Sequence, residues 1–175
     1  MRPCWIRWSL TGCLVVLSAI GHAGEETHPR FHLTDAAITN LRLRAAIPGS
    51  FHAEAYRLMK ARVDVSTPSQ LDAYGGDPLG YRRSFLAREA AFCSRMESEA
   101  SVQSAFAEKS YLALRAVYDD PDTIDPRYPD SGYGLSRAMM CQGFAWAYDW
   151  CYDRWTVEQR DWVRGKLTAA LNAWP

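Results

Sequence analysis

The sequence predicts an all-α fold, and three observations predict it. Apolar residues recur at three- and four-residue spacing through most of the chain. Pro, Gly and Asp gather in two long breaks, 66–80 and 119–134. No segment of strand length alternates apolar with polar residues. Composition fits a globular chain, with 175 residues, 48% of them hydrophobic and 23% charged. Seven Trp, nine Tyr and six Phe supply enough apolar mass for a core, which excludes wholesale disorder. Twenty Lys and Arg balance twenty Asp and Glu, which argues against a nucleic-acid-binding domain and against an acidic tail.

Residues 1–23 stand apart from the fold. Arg2 and Arg7 precede an apolar run from Leu10 to Ile20, and Gly21-His22-Ala23 places small residues at a cleavage site. This is the layout of a secretory signal peptide, too short to span a bilayer, and it predicts a periplasmic or secreted protein cleaved after Ala23. Leu10-Thr11-Gly12-Cys13 has the outline of a lipoprotein box, but its apolar run follows Cys13 instead of preceding it. Removal of the segment leaves Cys93, Cys141 and Cys151. The last two, ten residues apart on one helix, are separated by about 15 Å, too far to bridge. Buried structural thiols are the expected role of all three.

Residues 24–33 form an extended lead-in marked by His28-Pro29-Arg30, and residues 34–175 form the helical domain. Thr34 caps the first helix, whose inner face is Ile38, Leu41 and Ala45, and Pro48-Gly49 ends it. Ser50 caps the second, with Phe51, Ala55, Leu58 and Met59 expected inward. The third runs from about Arg82 to Met96, with Phe85, Leu86 and Phe92 inward. The fourth runs from about Val102 to Tyr118 on a stripe of Val102, Ala105, Phe106, Leu112, Ala113, Ala116 and Val117. The fifth, Leu135 to Tyr152, has only Arg137 and Asp149 as charges, so it is expected to be enclosed on nearly every side. Thr156 and Gln159 then form a capping box for an amphipathic sixth helix with Val163, Leu167, Ala170, Leu171 and Trp174 on one face. An enclosed helix followed by a half-exposed one suggests a double-layered helical barrel. A fixed repeat period is absent, which disfavours a solenoid. His28 and His32 are four apart, but Pro29 argues against a shared helix face, so no metal or cofactor is expected.

Two segments carry a resemblance. HPRFHLTDAAITNLRLRA at 28–45 resembles the entry segment of bacterial heparinase II/III-like polysaccharide lyases. LSRAMMCQGFAWAYDWCYDRWTVEQRDWVRGKL at 135–167, with Tyr148-Asp149-Trp150, resembles their Ala-rich buried helix and its amphipathic partner. The resemblance implies a partial (α/α) toroid and β-elimination on a uronic-acid polysaccharide of the alginate or glycosaminoglycan type. That reaction needs a neutralised carboxylate beside the acidic C–H, a base and an acid. The family's Asn/His and Tyr catalytic residues fall after the region matched, and no Asn-His pair is present, so no catalytic residue is assigned. Six helices are also about half of what a closed barrel requires. The chain is therefore expected to be an N-terminal portion, poorly stable and aggregation-prone alone.

Four residues are candidates for holding an anionic polysaccharide or oligosaccharide. Tyr133 and Trp146 offer rings for stacking on a sugar, Arg137 a fork for carboxylate or sulfate, and Gln142 an amide. Each has a structural alternative: Trp146 as core, Arg137 as a helix-end partner. Asp149 reads as a buried hydrogen-bond acceptor. On the same barrel, unsaturated glucuronyl hydrolases use inner-helix Asp as general acid, which makes a glycoside hydrolase the second hypothesis. A non-catalytic helical module binding glycan or protein is the third.

Overall fold

The computed structural model describes residues 33–68, 81–119 and 134–172. The signal-like segment 1–23, the His-Pro-Arg lead-in, Tyr133 and Trp174 lie outside the described residues, as do the side chains of Arg137, Ala170 and Leu171. Six α-helices follow in order: α1 Asp35–Ala45, α2 Phe51–Val65, α3 Tyr81–Met96, α4 Ala100–Asp119, α5 Gly134–Cys151 and α6 Val157–Asn172. No strand occurs among the described residues. The fold is all-α, as the periodicity predicts.

The helix starts follow local chemistry. Thr34 Oγ1 accepts from the Ala37 N–H at 3.3 Å and opens α1. Gly49, at φ +72°, adopts the left-handed turn that separates α1 from α2. Ser50 Oγ accepts from the Ala53 N–H at 3.0 Å and opens α2. The capping box before α6 is reciprocal. Gln159 N–H donates to Thr156 Oγ1 at 3.2 Å, and Thr156 N–H donates to Gln159 Oε1 at 3.0 Å.

The most enclosed helix is α3, not α5. Ser84, Leu86, Ala87, Ala90, Ala91, Cys93 and Ser94 of α3 are all fully buried. Small side chains on several sides let α4 and α5 approach closely, and buried hydroxyls find carbonyls across the contacts. Ser110 Oγ of α4 donates to Ala87 O at 2.8 Å, and Ser94 Oγ donates to Gln103 O at 2.7 Å. The α5 helix packs Met140, Gly143, Phe144, Ala147 and Trp150 inward but leaves Gln142 exposed. Lack of charge made α5 look enclosed; its remaining sides carry aromatics that are only half-buried, Trp146 and Tyr148 among them.

The α3 helix packs most extensively against α4, its neighbour in sequence, and then against α5. α4 lies against α6 through the Tyr111–Trp162 edge contact at 5.7 Å and the Gln159 to Glu108 hydrogen bond at 2.8 Å. α1 and α2 form a hairpin held to α3. Arg42 of α1 donates from Nε and Nη2 to Arg95 O and from Nη2 to Glu97 O, satisfying carbonyls that the end of α3 leaves open.

Two residues of the expected α2 stripe depart from expectation, while Met59 packs inward as expected. Phe51 and Leu58 face outward, Phe51 at 82% exposure, and α2 turns Tyr56, Met59 and Val63 toward α3. Phe51, Leu58 and Met59 are all apolar at helical spacing, so periodicity alone could not choose between them. On α4, Ala105 and Leu112 are likewise exposed, while Ala107, Ser110 and Leu114 fill the core.

None of the three described cysteines is in a disulfide. Burial pushes the Cys93 and Cys151 thiols up to about 12. Both therefore stay protonated and unreactive near neutral pH. Thiol labelling of the native protein at pH 8, mapped by peptide mass, is expected to modify half-buried Cys141 first. Cys93 and Cys151 should label only after denaturant is added. Equal labelling of Cys93 in the native state would contradict the packing described.

Candidate functional site

Three helix faces meet around a groove of about 350 Å³. On α3, Phe85, Arg88, Glu89 and Phe92 recur at three- and four-residue steps, so they share one face. On α5, Gln142, Trp146 and Trp150 recur at four-residue steps and do the same. α2 contributes Met59. The volume lies in the range of small-molecule sites, and the walls are mainly apolar with a few polar groups, as such sites usually are.

The aromatic wall is continuous. Trp146 and Trp150 stack at a tilt, with centroids 5.2 Å apart. Phe92 meets Trp150 edge-on at 6.1 Å, and Tyr56 backs Phe92 at 6.4 Å. The Tyr56 hydroxyl donates to Glu97 Oε1 at 2.7 Å, and burial together with that bond holds the phenol protonated, well above its ordinary range.

The polar groups divide into one that is occupied and one that is open. Glu89 is gripped by Arg62 of α2, with Nε to Oε2 at 3.1 Å and Nη2 to Oε1 at 2.5 Å. This two-pronged pair fastens α2 to α3 and uses the Glu89 carboxylate. Arg88 is held by rings. Its guanidinium lies 4.9 Å from the Phe85 centroid and 5.3 Å from that of Trp146. Its hydrogen bond among the described residues, to Gln142 Oε1, is long at 3.4 Å. Among the described residues no carboxylate pairs with Arg88.

Of the four candidates from sequence, Trp146 lines this groove with Arg88, and Gln142 stands beside it through its hydrogen bond to Arg88. Arg137 lies one to two turns N-terminal to Gln142 on α5, with its side chain undescribed, and Tyr133 lies outside the described residues. Arg88 escaped the sequence reading because it sits among other charges on α3. Its position between Phe85 and Phe92, on the same helix face, is the signal that marks it. Asp149 is buried at 3% exposure and does not line the groove. No cluster of His, Cys, Asp or Glu suited to a metal occurs among the described residues. No described helix is long and apolar enough to cross a membrane.

The arrangement can bind a planar or ring-shaped ligand and neutralise one negative charge. The aromatic wall stacks the ligand, the Arg88 fork meets a carboxylate or sulfate, and the Gln142 amide meets a hydroxyl. The one titratable acid in the wall, Glu89, is already committed to Arg62. No family model matches the chain, and no curated protein and no solved structure matches it significantly.

Proposed function

We propose that the α2–α3–α5 groove holds one uronate residue of an anionic polysaccharide, in a helical unit of a polysaccharide lyase. The observation that carries this reading is Arg88, a cation fixed between aromatic rings beside Trp146 with no carboxylate partner among the described residues. A ligand carboxylate completes its hydrogen bonds while the sugar face lies on the indole. The lyase assignment rests on the likeness of segments 28–45 and 135–167 to heparinase II/III-like proteins. The all-α order of six helices is compatible with a partial (α/α) toroid, in which one layer of helices lies inside the other. In this proposal residues 1–23 direct export and are removed after Ala23; mass spectrometry of the mature N-terminus reads that directly.

Calorimetric titration tests the groove. Oligomers of guluronate, mannuronate and glucuronate are expected to bind, and a neutral oligoglucan of equal length to bind much more weakly. Arg88→Gln should weaken uronate binding about tenfold or more, the value of a charge-assisted hydrogen bond. Trp146→Ala should weaken charged and neutral oligomers together, because stacking does not depend on the carboxylate. Equal affinity of Arg88→Gln and the parent for uronates would remove the basis of the reading. Elimination is followed separately, as near-ultraviolet absorbance from an unsaturated uronate on incubation with alginate, hyaluronan or heparin. A rise marks a lyase; a flat trace with binding retained marks recognition without turnover.

A further inference from the structure

A second cleft, of about 660 Å³, opens where the start of α1, the end of α3, the start of α4 and the α5–α6 turn meet. Three arginines line it, each from a different element: Arg42 from α1, Arg95 from α3 and Arg154 from the turn. Only two carboxylates, Asp35 and Asp153, share the lining, so the cleft carries a net positive charge. The Glu97 carboxylate, on the following loop, is engaged by Tyr56.

Arg95 is the unusual member. Its side chain is only 9% exposed, and its Nε is buried with no hydrogen-bond partner. A buried guanidinium N–H left open costs free energy unless something accepts from it. Its ion pair among the described residues, Nη2 to Asp35 Oδ1 at 2.6 Å, reaches a carboxylate that is 87% exposed at the rim. Such a pair is screened by water and offsets little of the buried charge. Arg154 donates from Nη2 to the neutral Gln103 Oε1 at 2.6 Å, not to an acid. Burial, and then the charge of Arg95, hold the Arg154 guanidinium below its ordinary range. The cations thus repel one another in a partly dry cleft.

The start of α4 adds to this field. Ala100, Gln103 and Ser104 of its first turns line the cleft, so the positive dipole end of a 20-residue helix lies there. Part of this network is structural, since Arg42 spends three hydrogen bonds on the carbonyls that close α3. Its Nη1 and the remaining donors of Arg154 are not used that way.

We propose that this cleft is a binding site for a tetrahedral oxyanion, a phosphate or sulfate group, held by Arg95 and Arg154 with the α4 N-terminus. Donors from three elements need more acceptor oxygens than the two of a carboxylate, which distinguishes this site from the Arg88 groove. It stands independently of the uronate reading. The shared chemistry has two sources, a free ion or an ester carried on a sugar.

Thermal melting and calorimetry of the intact protein test it with inorganic phosphate, inorganic sulfate, glucose 6-phosphate and glucose 6-sulfate, against potassium chloride at matched ionic strength. A ligand bound to the native state raises the melting temperature. At least one oxyanion is expected to do so beyond chloride. Tighter binding of the esters assigns the group to a carried ligand, and tighter binding of the inorganic ions to a free one. Arg154→Gln should weaken binding about tenfold. Arg154→Lys, which keeps the charge but not the fork, should fall between. Asp35→Asn, at an exposed position, should tighten binding several-fold by removing a competing carboxylate. No shift beyond chloride, unchanged affinity in a folded Arg154→Gln, or weaker binding in Asp35→Asn would each overturn the proposal. Repeating the phosphate titration on Trp146→Ala reads the cleft apart from the groove, so either site can fail without the other.

Discussion

Replacing Gly143 by valine is expected to cost about 3 kcal/mol of stability or more, at or beyond the top of the usual range for forcing extra carbons into a packed core. Gly143 lies where α5 crosses α3. A Cβ there would stand 2.6 Å from the carbonyl oxygen of Ser84, 2.7 Å from its Cβ and 3.0 Å from its carbonyl carbon. Two of those three atoms are backbone, so no rotamer change relieves the clash and the helices must separate. Separation would loosen Leu86, Ala87, Phe144 and Ala147, all buried at or near the same contact. It would also break the Ser84 Oγ to Met139 O bond, already long at 3.4 Å. Alanine at the same position should lose less, because its higher helix propensity returns about 1 kcal/mol. Gly165 supplies the internal comparison. It lies inside α6, and a Cβ there meets nothing within 4 Å. Gly165→Ala should therefore gain up to about 1 kcal/mol from propensity alone. Urea midpoints at constant slope read both effects. Two glycine-to-alanine changes in helices, opposite in sign, would locate the closest helix crossing; equal signs would mean that α3 and α5 do not approach as described.

Gly143 also shows why some of the fold was legible and some was not. Elements whose signals are local were readable. Thr34, Ser50 and the Thr156–Gln159 box each act within three or four residues of themselves, so sequence order is also spatial order. All six helices follow from such signals and from periodicity. Contacts between helices were not readable in the same way. Nothing near Gly143 in the chain announces Ser84, 59 positions earlier. On α2, Phe51, Leu58 and Met59 are all apolar at helical spacing, and only the position of α3 selects Met59 and Val63 over the other two. The groove was half legible for the same reason. Trp146 and Gln142 stood out because α5 has few polar residues, whereas Arg88 was hidden among the several charges of α3. The arginine cleft was invisible, since Arg42, Arg95 and Arg154 are more than fifty residues apart from one to the next.

Trp155→Ala is expected to destabilise the protein by about 3–5 kcal/mol, as large aromatic truncations in cores do. Trp155 sits in the turn between α5 and α6, where a sequence reading sees only a break. Its N–H and that of Arg154 both donate to Cys151 O, at 3.0 and 2.9 Å, and this folds the chain back at the end of α5. The indole is buried at 4% exposure and reaches across to α4, where Nε1 donates to Ala107 O at 2.8 Å. Tyr111 of α4 and Tyr148 of α5 meet its ring edge-on at 6.1 and 6.5 Å. One side chain thus ties three elements together and sets where α6 begins, so its loss removes packing on both layers. Phenylalanine separates the contributions: it keeps most of the ring contact and loses the hydrogen bond, so Trp155→Phe should cost about 1 kcal/mol from the bond plus a smaller packing loss. A double-mutant cycle with Tyr111→Leu should return a coupling of about 0.5–1.5 kcal/mol for the edge-on pair. A Trp155→Ala loss below about 1 kcal/mol, within the range of surface changes, would mean that the turn is not anchored on α4. Because Arg154 is the neighbour of Trp155, the anchor also fixes the third wall of the arginine cleft. Trp155→Ala should therefore weaken oxyanion binding even at temperatures where the protein remains folded, whereas Trp155→Phe should leave it within about twofold of the parent, the tie to α4 being looser by one bond but still packed.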